Sequence, residues 1–199
     1  MSAQTDEREL KDRLSLIESM IAEGRRTTES WGWTFVLWGV AYYVAIAWST
    51  WGNGAVAWPV TMTAAGAITG IVFSRMARNQ PDTTLGRSIG AVWVAFGVSV
   101  FILMTSLSAS GRLEPHLSVA IVSAMLGTAN ATSSMILKWK TQFACAVVWW
   151  AATLIACFGS GNQSAIAFLL AIFLCQIVFG IYAMICETRR RRMQGAVHG

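Results

Sequence analysis

Between Trp31 and Gly52 the chain reads WGWTFVLWGVAYYVAIAWSTWG, a stretch with no charged residue. A helix of that length matches the roughly 20 apolar residues that cross the hydrocarbon of a bilayer. The stretch holds five Trp and two Tyr. Trp31 and Trp33 mark one end, Trp48 and Trp51 the other. Indole rings at both ends of an apolar run form the interfacial belt of a membrane span. The plan recurs in five further apolar runs, at about residues 56–73, 88–108, 116–137, 141–158 and 164–186. The expected fold is therefore an all-α integral membrane protein with six transmembrane helices arranged as three hairpins, plus an N-terminal amphipathic cytoplasmic helix. Residues 1–29 form the amphipathic cytoplasmic segment, 30–187 the membrane domain and 188–199 a basic cytoplasmic tail.

Composition agrees. Hydrophobic residues make up 55% of the chain and charged residues 13%, against about 25% charged in a soluble domain. The net charge of +5 is not a nucleic-acid signal, because the basic residues sit at the ends of apolar runs, where they orient helices. No nucleic-acid partner is expected. The polar start, MSAQTDERELKDRL, lacks the apolar segment of a secretory signal. The four Cys show no CxxC spacing and have no His neighbour, so neither a zinc site nor a disulfide framework is indicated.

Loop charges set the topology. With both termini cytoplasmic, all of the 15 Lys and Arg except Arg112 lie on the cytoplasmic side. That is a strong positive-inside bias. Short turns connect the outer ends: Gly52-Asn53-Gly54, Gly111 to Pro115, and Gly159 to Asn162. Polar joins, including Arg75 to Arg87 with Pro81-Asp82, connect the inner ends. Pro59 is expected in the first turn of its helix, where a missing N–H is tolerated. Trp38, Trp93 and Trp149 lie 55 and 56 residues apart, each on an outward-going helix. Either the three hairpins are repeats of one unit, or six spans of similar length produce the spacing. Gly66 and Gly70 form a GxxxG pair, and with Gly90 and Gly97 they permit close helix packing.

Residues 6–26 read as the amphipathic helix. Leu10, Leu14, Ile17 and Ile21 share one stripe. Glu7 with Lys11 and Glu9 with Arg13 are i,i+4 pairs in the favourable order. This helix packs on the membrane domain or on its copy in another subunit, anchors on the membrane surface, or docks another protein. Acids outnumber bases on its polar face, which argues against the surface anchor.

Site chemistry is sparse. No Asp, Glu, Lys or Arg lies in the middle of any run, and an intramembrane ionisable residue is the usual mark of an ion path or proton relay. Only His116 and His198 are available as imidazole ligands for haem. No catalytic, metal or cofactor-binding residues are assigned, and no cofactor is expected. The fourth run is the most polar. Ser123, Gly127, Asn130 and Ser134 fall on one stripe, and Thr128, Thr132 and Ser133 add hydroxyls. This stripe is either a helix interface joined by small and polar residues, or one wall of a polar cavity that Asn130 shares with Gln176. Cys145 and Cys186 can approach if the last two runs pack as a hairpin. Trp149-Trp150 is expected to pack inside the bundle with an indole N–H bonded to a neighbour, or to form a wall for a flat apolar ligand. Arg189, Arg190, Arg191 and Arg192 lock the topology and are candidates for contact with lipid headgroups.

The segment LSLIESMIAEGRRTTESWGWTFVLWGV, within about the first 50 residues, resembles a loose group of small polytopic bacterial inner-membrane proteins of uncharacterised function. The resemblance implies a bacterial inner-membrane location and no activity or cofactor. The expected function is that of a non-catalytic structural, accessory or sensory subunit of a membrane complex, in contact with membrane lipids and with a second copy or another membrane protein. A small carrier or channel for a neutral or apolar solute is the alternative.

Overall fold

The computed structural model describes residues 2–52, 54–77 and 84–195. Asn53, Pro81-Asp82 and His198 lie outside them, as do the side chains of Glu7, Arg25, Arg26 and Arg191. The described residues are helical almost throughout, and no strand occurs among them. The helices are α1 (Ser2–Ser30), α2 (Gly32–Trp51), α3 (Gly54–Ala77), α4 (Thr84–Ala109), α5 (Pro115–Leu137), α6 (Lys140–Phe158), α7 (Gly161–Ile172) and α8 (Phe179–Gly195). A π-helical segment, Phe173–Val178, joins α7 to α8 without a break, so the two form one rod. A backbone in lipid must satisfy its own N–H and C=O groups, which continuous helices do.

Five stretches are long and apolar enough to cross a membrane: Val56–Arg75, Leu85–Ala109, Pro115–Leu137, Lys140–Phe158 and Gly161–Arg190. The chain is thus a multi-pass membrane protein. α2 is 20 residues long and uncharged. It falls short of the five in mean hydropathy because indole and phenol groups replace aliphatic carbon along it.

The bundle is built around α2, α5, α6 and the α7–α8 rod. α3 packs on α2 and α4 on α5, and both are largely exposed along their lengths. The three expected hairpins all pack, as α2 with α3, α4 with α5, and α6 with α7. The most extensive interface, however, is α5 with α6, which crosses the boundary between two of those hairpins. Its turn is tight. Lys138 adopts a left-handed conformation with φ 49°, and the Trp139 N–H bonds to Ser134 O at 2.9 Å. α2 and α6 are central while α4 is peripheral, so the three helices that carry Trp38, Trp93 and Trp149 do not occupy equivalent places.

Two tiers of aromatic rings fill the core. In one, Phe35 meets Trp93 and Phe179 edge-on, at 5.4 and 5.2 Å, and Trp139 lies 5.2 Å from Phe179. In the other, Tyr42 meets Trp58 and Phe168 at 6.1 and 6.0 Å, and Trp149 meets Phe168 at 5.9 Å. Such pairs contribute about 0.5–1.5 kcal/mol each beyond area burial. The Tyr43 hydroxyl donates to Leu169 O at 2.9 Å and ties α2 to α7.

Close backbone approach occurs where sequence pattern did not place it. α2 lies against α8 through Gly32 and Gly180, and against the π segment through Gly39. A β-carbon at Gly39 would sit 2.8 Å from Gln176 Cβ. Gly66, Gly70 and Gly97, by contrast, have nothing within 4 Å of a β-carbon position, and Gly90 has only Trp31 at 3.8 Å. Among the described residues the GxxxG pair therefore meets no neighbouring helix, because α3 turns that side away from α2. Pro59 also differs from expectation. Its helix begins at Gly54, so Pro59 lies past the first turn and removes one i→i−4 bond.

α1 extends beyond the expected residues 6–26 at both ends. Its last turns dock on the bundle: a β-carbon at Gly24 would meet Leu85 Cβ at 3.0 Å and Leu137 Cδ2 at 3.1 Å. This puts the end of α1, the start of α4 and the end of α5 at one end of the bundle. Trp31 packed on Phe73 at 5.0 Å adds the end of α3. At the opposite end, Gly161 at the start of α7 lies beside His116 at the start of α5. α8 runs on to Gly195, so the described part of the basic tail is helical.

Candidate functional site: the buried polar face of α5 and α6

Four small or polar positions of α5 recur along one stripe, and all four are buried: Ser123, Gly127, Asn130 and Ser134. Ser133 joins them. The stripe faces α6, as Gly127 shows, because a β-carbon there would come within 2.5 Å of Trp150 Nε1. That contact sets the register of the hairpin. Counting back along the antiparallel pair, it brings Gln142 of α6 near the Ser133–Ser134 end of the stripe.

The hydrogen bonds of this face are incomplete. Asn130 Nδ2 donates to Leu126 O at 2.9 Å, and Ser134 Oγ donates to Ala131 O at 2.7 Å. Both bonds run back along α5 itself. Ser123 Oγ, Asn130 Oδ1, Ser133 Oγ, both amide atoms of Gln142 and Trp149 Nε1 are buried with no partner among the described residues. The expected bond from the Trp149 indole to a neighbouring carbonyl or hydroxyl is not formed. Its ring is fully buried against Phe168, and apolar packing sets its angle. Buried polar groups nearly always have a partner, so a concentration of orphans in one interface is unusual.

Gln176 sits in the π segment, with Cys175, where both are buried. Its Cβ faces Gly39 of α2. α5 packs on α7, whereas the π segment packs on α2 and α6. α6 is thus the helix that the Asn130 stripe and the π segment of Gln176 share as a neighbour. π segments inside α-helices occur often at functional sites, and nothing in the local composition of FLCQIV announces one. Gln142 was equally hidden, since beside Lys140 and Thr141 it reads as part of a polar helix start.

The thiol geometry departs from expectation. Cys175 Sγ donates to Cys145 O at 3.5 Å, so Cys175 is the cysteine that reaches Cys145. Cys186 lies eleven residues farther along the rod, about 16 Å at 1.5 Å per residue. All four cysteines are free. Among the described residues, no three His, Cys, Asp or Glu come together as metal ligands.

A groove of about 390 Å³ runs along the outer face of α8, lined by Ile181, Met184, Ile185, Thr188, Arg189 and Arg192. Its walls are apolar toward the bundle and basic toward the helix end. That order matches a phospholipid, with acyl chain against Ile181 and Met184 and phosphate beside the guanidinium groups. Arg190, on the same turn, is engaged in an interaction of its own.

No family model matches the chain, and no curated protein or solved structure matches it.

Proposed function

We propose that this chain is a non-catalytic subunit of a bacterial inner-membrane assembly, with six spans and both termini in the cytoplasm. α2 is the sixth span. It is uncharged, Trp-edged, and sandwiched between α3 and α8, each of which belongs to a crossing stretch. Placing the end of the bundle that carries Arg75, Lys138 and Arg189 in the cytoplasm follows the positive-inside rule. The basic end of the α8 groove holds anionic lipid there.

One observation carries the subunit reading. Every residue of α1 from 9 to 20 is exposed, including Leu10, Leu14, Ile17 and Met20. An isolated helix of that length is marginal in water, and an uncovered apolar stripe marks an interaction surface. α1 is therefore the assembly element of the protein. Gentle extraction from native membranes followed by native mass spectrometry tests this. A stoichiometric assembly that is lost on deletion of residues 1–26 is expected. A monomer, with or without those residues, would end the reading.

A second reading, a carrier for a small neutral solute, is favoured by the orphaned polar atoms of Ser123, Asn130, Ser133 and Gln142. It predicts solute flux into liposomes that Asn130→Ala and Gln142→Leu reduce without unfolding the protein. Equal flux in liposomes lacking the protein would remove it.

A further inference from the structure

The exposed stripe of α1 has the spacing of a coiled-coil seam. Leu10, Leu14, Ile17 and Ile21 are separated by 4, 3 and 4 residues. That is a strict heptad, with Leu14 and Ile21 at a and Leu10 and Ile17 at d. The seam changes partner along its length. Gly24, the next d position, is buried against Leu85 and Leu137, and Ile21 is half-buried. Upstream, Leu10, Leu14 and Ile17 are exposed at 58%, 52% and 52%. The same stripe thus packs on its own bundle at one end and is left uncovered by the described residues at the other.

We infer that Leu10, Leu14 and Ile17 pack in parallel against α1 of a second copy of this chain. Three features point to that occupant. First, the membrane holds every copy in one orientation, so α1 helices that leave the bundle along its axis meet in parallel. Second, the charges flanking the seam are self-complementary in that arrangement. Arg13 is at g and Glu18 is at the following e position, the two positions that pair between parallel strands. Both side chains lie on the exposed part of α1. In sequence, Asp6 and Lys11 occupy the same g and e positions one heptad earlier. Third, a lipid surface is a poor alternative, because residues 9–20 carry Glu9, Asp12 and Glu18 against Lys11 and Arg13. Anionic headgroups attract helices with basic polar faces. Within one helix Arg13 pairs with Glu9 at 2.5 Å, an exposed contact that the pairing with Glu18 of the second copy exchanges for another.

The inference rests on the reading of α1 as the assembly element and names what it assembles with. It is tested on the full chain in native membranes, in a Cys157→Ser/Cys186→Ser background. Leu14→Cys, Ile17→Cys and Leu16→Cys are introduced singly and treated with a mild oxidant. Like positions of a and d face each other in a parallel pair, so Leu14→Cys and Ile17→Cys should cross-link into dimers. Leu16→Cys, exposed but off the seam, should cross-link at least tenfold less. Glu18→Arg should reduce the Leu14→Cys dimer several-fold, and adding Arg13→Glu should restore it. Equal cross-linking at all three positions, or at none, overturns the proposal. So does protection of the seam by a different polypeptide in native mass spectrometry, an outcome that leaves the subunit reading standing. Quenching of labels at positions 14 and 17 by a lipid-borne nitroxide, with only monomers extracted, would overturn both.

Discussion

A β-carbon on Gly32 would sit 2.8 Å from the carbonyl oxygen of Gly180, and a β-carbon on Gly180 would sit 2.8 Å from the carbonyl oxygen of Gly32. The contact is reciprocal and made by backbone on both sides. It lets α2 reach α8 closely enough for Phe35 and Phe179 to stack edge-on. Neither partner can move aside without shifting a whole helix, which distinguishes this contact from one against a flexible side chain.

Gly32→Ala and Gly180→Ala should therefore each lower the thermal midpoint in detergent, by an amount corresponding to about 1–3 kcal/mol. Gly66→Ala and Gly70→Ala face open space and should leave it unchanged or raise it slightly, because Gly in a helix is about 1 kcal/mol less favourable than Ala. Loss of stability in the Gly66 and Gly70 variants equal to that in the Gly32 and Gly180 variants would show that α3 has a partner the single chain does not supply.

Gln142 is fully buried and both of its amide atoms lack a partner among the described residues. An unsatisfied buried amide costs about 1–3 kcal/mol. Gln142→Leu keeps the volume and removes that cost, so the thermal midpoint should hold or rise. Ser133→Ala should behave the same way on a smaller scale. A marked fall in the Gln142→Leu midpoint would mean that the amide is bonded, to water or to a solute, in the working protein.

The α8 groove predicts selective retention of anionic phospholipid. Arg189→Gln and Arg192→Gln should each weaken it, at about 1 kcal/mol per basic residue near a charged surface. Native mass spectrometry of protein extracted from membranes of known lipid composition reads the change directly. The double variant should keep its fold and lose the bound anionic lipid. Retention equal to the parent would show that the groove is not a headgroup site.

Lys138 holds φ 49° at the end of α5. A left-handed conformation costs an L-residue roughly 1–2 kcal/mol and costs glycine almost nothing. Lys138→Gly should raise the thermal midpoint, with the gain partly offset by loss of a cation at a helix C-terminus. A fall would show that the Lys138 side chain contributes more than the backbone strain costs.

Membrane character, the helical content and the alternating course of the hairpins were all legible in the chain, because hydrocarbon admits few backbone solutions and apolar length announces them locally. The stripe Ser123, Gly127, Asn130 and Ser134 was legible for the same reason. Helical period places these residues on one face whatever that face meets, and burial of the whole stripe followed. The identity of the neighbour was not legible. In lipid every helix is apolar on all sides, so period does not tell an inward face from an outward one. Gly66 and Gly70 had the packing spacing and met nothing among the described residues, whereas Gly32, Gly39 and Gly180 had no conspicuous spacing and made close contacts between helices. Gln142, the π segment around Gln176 and the reach of Cys175 to Cys145 were decided in the same way. Each depends on which helices pack side by side and at what rotation. Only the assembled bundle, through the summed fit of its aromatic tiers and glycine contacts, chooses that.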